Sequence, residues 1–180
     1  LDKTYDADTI ASLSGTAAVS LLGSDSATLG GTGSAQFVDK NVGTGKAVTV
    51  SGYTLSGTDA SNYNLQPPTT LTAGITAANL AITGVSVLDK TYDAATVASL
   101  SGTAAVSLLG TDSATLAGTG SAQFADKNVG TGKSVTVSGY SLSGTDASNY
   151  NLQPPTTLTA GINAADLAIT GVSVVDKTYD

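Results

Sequence analysis

With 180 residues the chain has room for one or two domains, yet it contains no His, Cys, Met, Trp, Arg or Glu. That leaves no imidazole base, no thiolate, no guanidinium clamp and only Asp among the carboxylates, so an enzyme is not expected. The net charge is −7 with the lysines scattered singly, which offers phosphates no basic stripe and argues against a nucleic acid partner.

Gly, Ala, Ser and Thr dominate, but Val, Leu and Ile alternate among them, so the chain is expected to fold. No apolar run approaches the roughly 18 residues of a spanning helix, so no membrane insertion is expected of this segment, and any signal or anchor is expected outside it. A chain without cysteine fits a reduced compartment or a disulfide-free exported protein, and the composition leans towards export.

The chain opens on LDKTYD from Leu1. Asp2, Asp6 and Asp8 gather there and are candidates for calcium held through oxygen ligands at a junction, against the favoured reading of solvated acids at a turn. Lys3 is a candidate for an isopeptide cross-link to Asn79, or to Asp166 later in the chain, against an ordinary lysine reaching for water.

Ala18–Leu21 alternates at period two and predicts a half-buried strand, closed by the turn GSDS at Gly23. Gly43-Thr-Gly-Lys46 is a poor phosphate loop, because the first glycine of GxxxxGK falls at Lys40 and Ala47 replaces the hydroxyl residue; a glycine-rich turn is expected. Val48–Val50 predicts a strand; Tyr53, with its counterpart Tyr140, falls in phase with those valines only after a slip at Gly52, and both are expected to point outward to meet a ligand or neighbouring chain. Threonines such as those at 69–72 suit the exposed face of a strand.

Asp59, Tyr63 and Leu65 have the D-x-x-x-Y-x-apolar spacing of a tyrosine corner, in which the hydroxyl bonds backbone upstream; the alternative is a polar turn entering a strand. Asp146, Tyr150 and Leu152 repeat it. Strands are expected at Tyr63–Leu65, Leu71–Ala73 and Leu80–Thr83, with TAANL before Leu80 as a helical connector.

At Leu88 the sequence starts again, and at Val175 once more, so the period is 88 − 1 = 87 residues. Residues 1–87 differ from 88–174 at nine positions: 8, 10, 24, 30, 38, 47, 54, 76 and 79. Asp8 becomes Ala95, leaving Asp89 and Asp93 as the calcium candidates of the second copy. Such a unit is long enough to bury its own core, which predicts beads and not a solenoid.

Turn-spaced strands of this number predict an all-β protein of tandem immunoglobulin-like β-sandwich domains, with β-grasp-like repeats as the alternative. Boundaries near Asn79 and Asp166 make 1–79 a first repeat lacking its first strand, 80–166 a complete second repeat and 167–180 the first strand of a third. LAITGVSV from Leu167 is expected to fit the site left open in 1–79 of a following copy, by chain continuity or donated-strand pairing.

Together LDKTYD, AQFVDKNVGTGKAVTVSGYTLSG from Ala35 and TDASNYNLQPPTTLTAGI from Thr58 resemble the YDG-type repeat domains of bacterial haemagglutinin-like adhesins, over the whole chain and twice. The chain departs from the motif at Ala7 and Ala94, where glycine is expected after Tyr-Asp, so a left-handed backbone is not expected there. The resemblance implies an extracellular location on the bacterial surface and a place in a long stalk or filament serving adhesion or biofilm, with neighbouring repeats as partners. It implies no catalytic residue and no cofactor. The alternative is a repeated weak module that binds host or matrix glycans or proteins through avidity.

Overall fold

The computed structural model describes residues 1–179, and the all-β expectation holds. In chain order the first repeat carries β1 (Lys3–Thr4), β2 (Ile10–Ala11), β3 (Thr28–Phe37), β4 (Gly43–Ser56), β5 (Thr72–Thr76), β6 (Ala78–Ala81) and β7 (Thr83–Val87). The second carries β8 (Lys90–Thr91), β9 (Val97–Ala98), β10 (Leu100–Ala105), β11 (Thr115–Ala117), β12 (Ser121–Phe124), β13 (Gly130–Ser138), β14 (Ser141–Ser143), β15 (Tyr150–Gln153) and β16 (Thr159–Asn163). Single 3-10 turns lie at Ala60–Asn62 and Ala147–Asn149.

Two compact units result, and they do not follow the sequence repeat. One comprises Leu1–Ile82 together with Ala105–Ala117 and Ser141–Gln153, so two pieces of the second repeat complete the first unit. The other comprises Thr83–Ala104, Gly118–Tyr140 and the chain from Pro154.

In the first unit five strands run in the order β1-β5-β4-β3-β2. β1 lies parallel to β5, with Lys3 opposite Ile75, and the other pairs are antiparallel. Val48, Val50, Ala35, Phe37 and Ile75 point inward from this sheet, where Tyr5, Leu80 and Tyr150 join them. β6 pairs in parallel with β15, Ala78 opposite Tyr150 and Leu80 opposite Leu152, which buries Leu80. β11 and β14 form a small antiparallel ribbon in the same unit.

The second unit repeats the order as β8-β16-β13-β12-β9 around Phe124, Val135, Val137 and Ile162. There β7 pairs with β10. Ser86 meets Ser101 at 2.7 Å and the Leu88 N–H donates to the Ser99 carbonyl at 3.0 Å, so the partners descend as the chain rises and the pair is antiparallel.

These are curled mixed sheets, a half-barrel and a near-barrel, and not clear immunoglobulin-like sandwiches. A parallel edge strand and a bulge in the long hairpin account for the difference, since a bulge bends and twists the strand that carries it. The register of β3 on β4 shifts between Gly31 and Ser34. Gly31 and Gly52 both have φ above +80°, and a Cβ on Gly31 would strike the Gly52 carbonyl, so only glycine fits. The shift brings Tyr53 into phase with Val48 and Val50. Tyr53 and Tyr140 therefore lie half-buried against their cores instead of pointing outward.

Other local expectations are corrected by pairing partners. TAANL contributes to strand β6 and not to a helix, because β15 offers it an edge. Ala18–Leu21 and Tyr63–Leu65 carry no strand, although Tyr150–Gln153, the copy of the latter, is β15; the first repeat has no strand beside it there. Ala7 and Ala94 have φ of 65° and 64°, so the backbone is left-handed without glycine. The Asp6 carboxylate holds this turn by accepting the Asp8 N–H at 3.1 Å, and Asp93 accepts the Ala95 N–H at 3.0 Å.

Candidate functional site

A well-connected polar cluster centres on Asp112, whose side chain has no solvent exposure. Its carboxylate accepts the Tyr5 hydroxyl at 2.6 Å and the Tyr150 hydroxyl at 2.5 Å, and pairs with the Lys40 ammonium. Lys40 also reaches Asp146 at 3.1 Å. The rings of Tyr5 and Tyr150 meet edge to face with centroids 5.4 Å apart. Beside them Asn149, 1% exposed, accepts the Val42 N–H at 2.9 Å and donates to the Asn41 side chain at 3.1 Å.

Every member of this cluster is satisfied, as buried polar groups must be if they are not to cost stability. Tyr150 donates to Asp112 and accepts the Leu109 N–H at 2.8 Å. Burial raises the Tyr5 phenol, and the Asp112 carboxylate beside it adds to the effect, pushing it up to about 12. Burial and Asp112 push Tyr150 up as well. Burial opposes ionisation of Asp112, but Lys40, Tyr150 and Tyr5 together outweigh it and hold the carboxyl below its usual range. The hydrogen bonds that Lys40 donates to Asp112 and Asp146 push its ammonium up.

Tyr5, Lys40 and Asn41 come from the first repeat, whereas Asp112, Asp146, Asn149 and Tyr150 come from the second. The cluster is thus a lock that fastens one repeat to the next within the first unit. Its second-repeat half is local, because the same bonds recur at Asp25, Asp59 and Tyr63. The Tyr63 hydroxyl donates to Asp25 at 2.7 Å and accepts the Leu22 N–H at 2.9 Å, and Asp59 accepts the Ser26 N–H at 2.8 Å. There Asn62 is exposed and Tyr63 half-buried. The other half recurs at Tyr92, which is half-buried, and at Lys127 and Asn128, which are exposed.

The residues of the tyrosine-corner pattern thus sit in these two clusters. Tyr63 and Tyr150 each accept a backbone N–H 41 residues upstream, while Leu65 is half-buried and Leu152 packs against the first core. Sequence reasoning missed Tyr5, Lys40, Asn149 and Asp112, because Tyr5 and Asp112 stand 107 residues apart and no local pattern joins them.

Each of the calcium candidates accepts a hydrogen bond from a protein donor. Asp2 accepts the Gly74 N–H at 2.6 Å, Asp8 accepts the Ile10 N–H at 2.5 Å, and Asp89 accepts the Gly161 N–H at 2.5 Å. Asp6 pairs with Lys3 at 2.6 Å and Asp93 with Lys90 at 2.7 Å. Among the described residues no three carboxylates are arranged to hold a metal ion. Lys3 also donates to the Asp8 and Ile10 carbonyls and sits over the Phe37 ring. Gly43–Lys46 opens β4, and Lys46 pairs with Asp39 at 2.7 Å.

The first unit also has a groove of about 590 Å³ lined by Leu13–Val19, Leu65–Pro68 and Leu71, together with Val50 and Tyr53. No helix among the described residues is long and apolar enough to cross a membrane.

Curled β-units built from a recurring sequence, the first of them fastened internally by side chains from both repeats, define a tandem-repeat β-protein. The chain belongs to the YDG domain family, whose model matches residues 1–71 and again 76–158. The matches end at equivalent positions, since 71 + 87 = 158, but the second starts 88 − 76 = 12 residues before Leu88 and so takes in β6 and β7. No curated protein and no solved structure matches the chain.

Proposed function

We propose that this chain is a non-enzymatic stalk segment of an extracellular bacterial adhesin or surface filament, in which successive YDG domains supply reach and hold an adhesive region away from the cell, in support of adhesion or biofilm. The observation that carries this reading is the lock: Tyr5 and Lys40 of one repeat are tied to Asp112 and Tyr150 of the next, as an array under load requires. β4, with 14 residues at about 3.3 Å rise, is a strand of roughly 45 Å, which sets the scale of the reach each repeat can add. Reach of this kind is met by curled mixed sheets as well as by the immunoglobulin-like sandwiches expected from the sequence.

Arrays of increasing repeat number test this by small-angle scattering. The maximum dimension should grow by a constant increment per repeat, with no saturable binding to glycan or matrix panels. Saturable binding that strengthens with repeat number would instead identify an avidity module and sink the spacer reading.

A further inference from the structure

Two features set the contact of Lys40 with Asp112 apart from the ion pairs of Lys3, Lys46, Lys90 and Lys133. Those four lysines meet carboxylates that are 45–56% exposed, whereas the Asp112 side chain is 0% exposed. The second feature is the use Asp112 makes of its two oxygens. Oδ2 accepts the hydroxyl of Tyr5 at 2.6 Å and that of Tyr150 at 2.5 Å, while Oδ1 faces the Lys40 Nζ. The same Nζ lies 3.1 Å from Oδ1 of Asp146, whose side chain is 13% exposed.

An amine, an acyl carbon with one oxygen held by two donors, and a second carboxylate on the amine thus meet inside one unit. Held in contact, such groups react as an intramolecular set. The geometry points to an isopeptide bond between the Lys40 Nζ and the Asp112 Cγ, a modification that joins the two repeats covalently. Lys3, the cross-link candidate of the sequence, has instead exposed Asp6 and two backbone carbonyls as partners.

One proton moves from Nζ to Oδ1 of Asp112 along their hydrogen bond, leaving a free amine beside a carboxylic acid. The amine attacks Cγ, and the charge that develops on Oδ2 falls where the Tyr5 and Tyr150 hydroxyls already point, as an oxyanion requires. Asp146 takes a second proton from the nitrogen and passes it to Oδ1. Oδ1 leaves as water, the carbonyl re-forms at Oδ2, and Asp146 is again a carboxylate. Ammonium and carboxylate become one amide and one water, with no other reactant consumed. Burial drives the step, since charges shut away from water are costly and the amide removes both. The ion pair slows it, because Lys40 is pushed up and Asp112 held down. The pair is therefore the state of the chain on folding, and the bond matures from it. The inference rests on the contacts of this one cluster and stands apart from the spacer reading.

Intact-mass spectrometry of the folded chain, followed over days after purification, tests this. The mass should fall by one water, and tryptic digestion should yield residues 4–46 joined to 91–127, with no cleavage after Lys40. Asp146→Asn should slow the loss about a hundredfold, the usual weight of a positioned general base. Lys40→Arg, which keeps a cation beside Asp112, should retain the full mass of its sequence. A chain that unfolds cooperatively in urea yet keeps its full mass, holding an ion pair only, would overturn the inference. So would a water lost equally by Lys40→Arg, which would mark closure of Asp112 onto its own backbone. Neither result bears on whether repeats add reach.

Discussion

The hydroxyl of Tyr5 donates to the carboxylate of Asp112 at 2.6 Å, joining residues 107 apart in the chain and from different repeats. Lys40 and Tyr150 converge on the same carboxylate, so one side chain of the second repeat anchors three groups. Asp112→Asn should therefore lower stability by about 1–3 kcal/mol, the usual cost of disrupting a buried charge-assisted network. Asp25→Asn, whose carboxylate has only Tyr63 as a side-chain donor, should cost less than about 1 kcal/mol. Urea unfolding of the two variants reads the difference, and equal losses would remove the lock from the account.

The same cluster fixes how stability follows pH. Asp112 is held below the ordinary 3.8 despite its burial, and Asp6, Asp39, Asp93 and Asp126 are lowered beside their lysines. Groups with depressed values contribute fully above the unfolded value, so this contribution should fade as pH falls below about 4.

At the alkaline end the sign reverses. Tyr5 rises from 10.0 to about 12, so its contribution is complete below pH 10 and lost as pH climbs from 10 towards 12. Denaturation midpoints across pH should fall at both ends, and Tyr5→Phe should flatten the alkaline limb. An unchanged limb in that variant would show that Tyr5 is not the group responsible.

Left-handed Ala7 and Ala94 invite glycine. A left-handed L-residue costs about 1–2 kcal/mol, against roughly 0.4–1 kcal/mol for the extra freedom glycine gives the unfolded chain, so Ala94→Gly should stabilise by about 0.5 kcal/mol. Ala7 packs against the first core, and its methyl lies beside Gly110, so Ala7→Gly should gain less. Thermal unfolding of both variants decides whether the Asp6 and Asp93 turns leave residual strain.

Glycines with positive φ should separate into two classes. Gly45 has open space around its missing Cβ, and Gly45→Ala should cost only the backbone penalty of about 1 kcal/mol. Gly52 faces the Thr32 carbonyl inside the bulge, so Gly52→Ala should cost about 2–4 kcal/mol and open the β3–β4 hairpin. Amide exchange at Ser34 and Ser51 would report that opening.

Alternation at Val48 and Val50 was enough to read a strand and its buried face, and the repeat with its period stood plainly in the sequence. Less legible was everything that depended on a distant edge. Tyr63–Leu65 and Tyr150–Leu152 are the same residues, yet only the second is a strand, because β6 lies beside it. Tyr53 was misplaced because a one-residue slip reverses every later side chain, and unbroken alternation past Gly52 points it outward where the bulge turns it in. The lock could not be seen because its two halves are each ordinary: a DKN turn and a TYD turn in one repeat, and a polar DASNY turn in the next.

The borrowing of 105–117 and 141–153 by the first unit also sets a timetable. As the chain is made from its amino end, Tyr5 has no acceptor until Asp112 has emerged and Leu80 no sheet neighbour until Tyr150–Gln153 has. Completion of each link thus waits on the arrival of its successor, and a growing array carries an unfinished link at its trailing end.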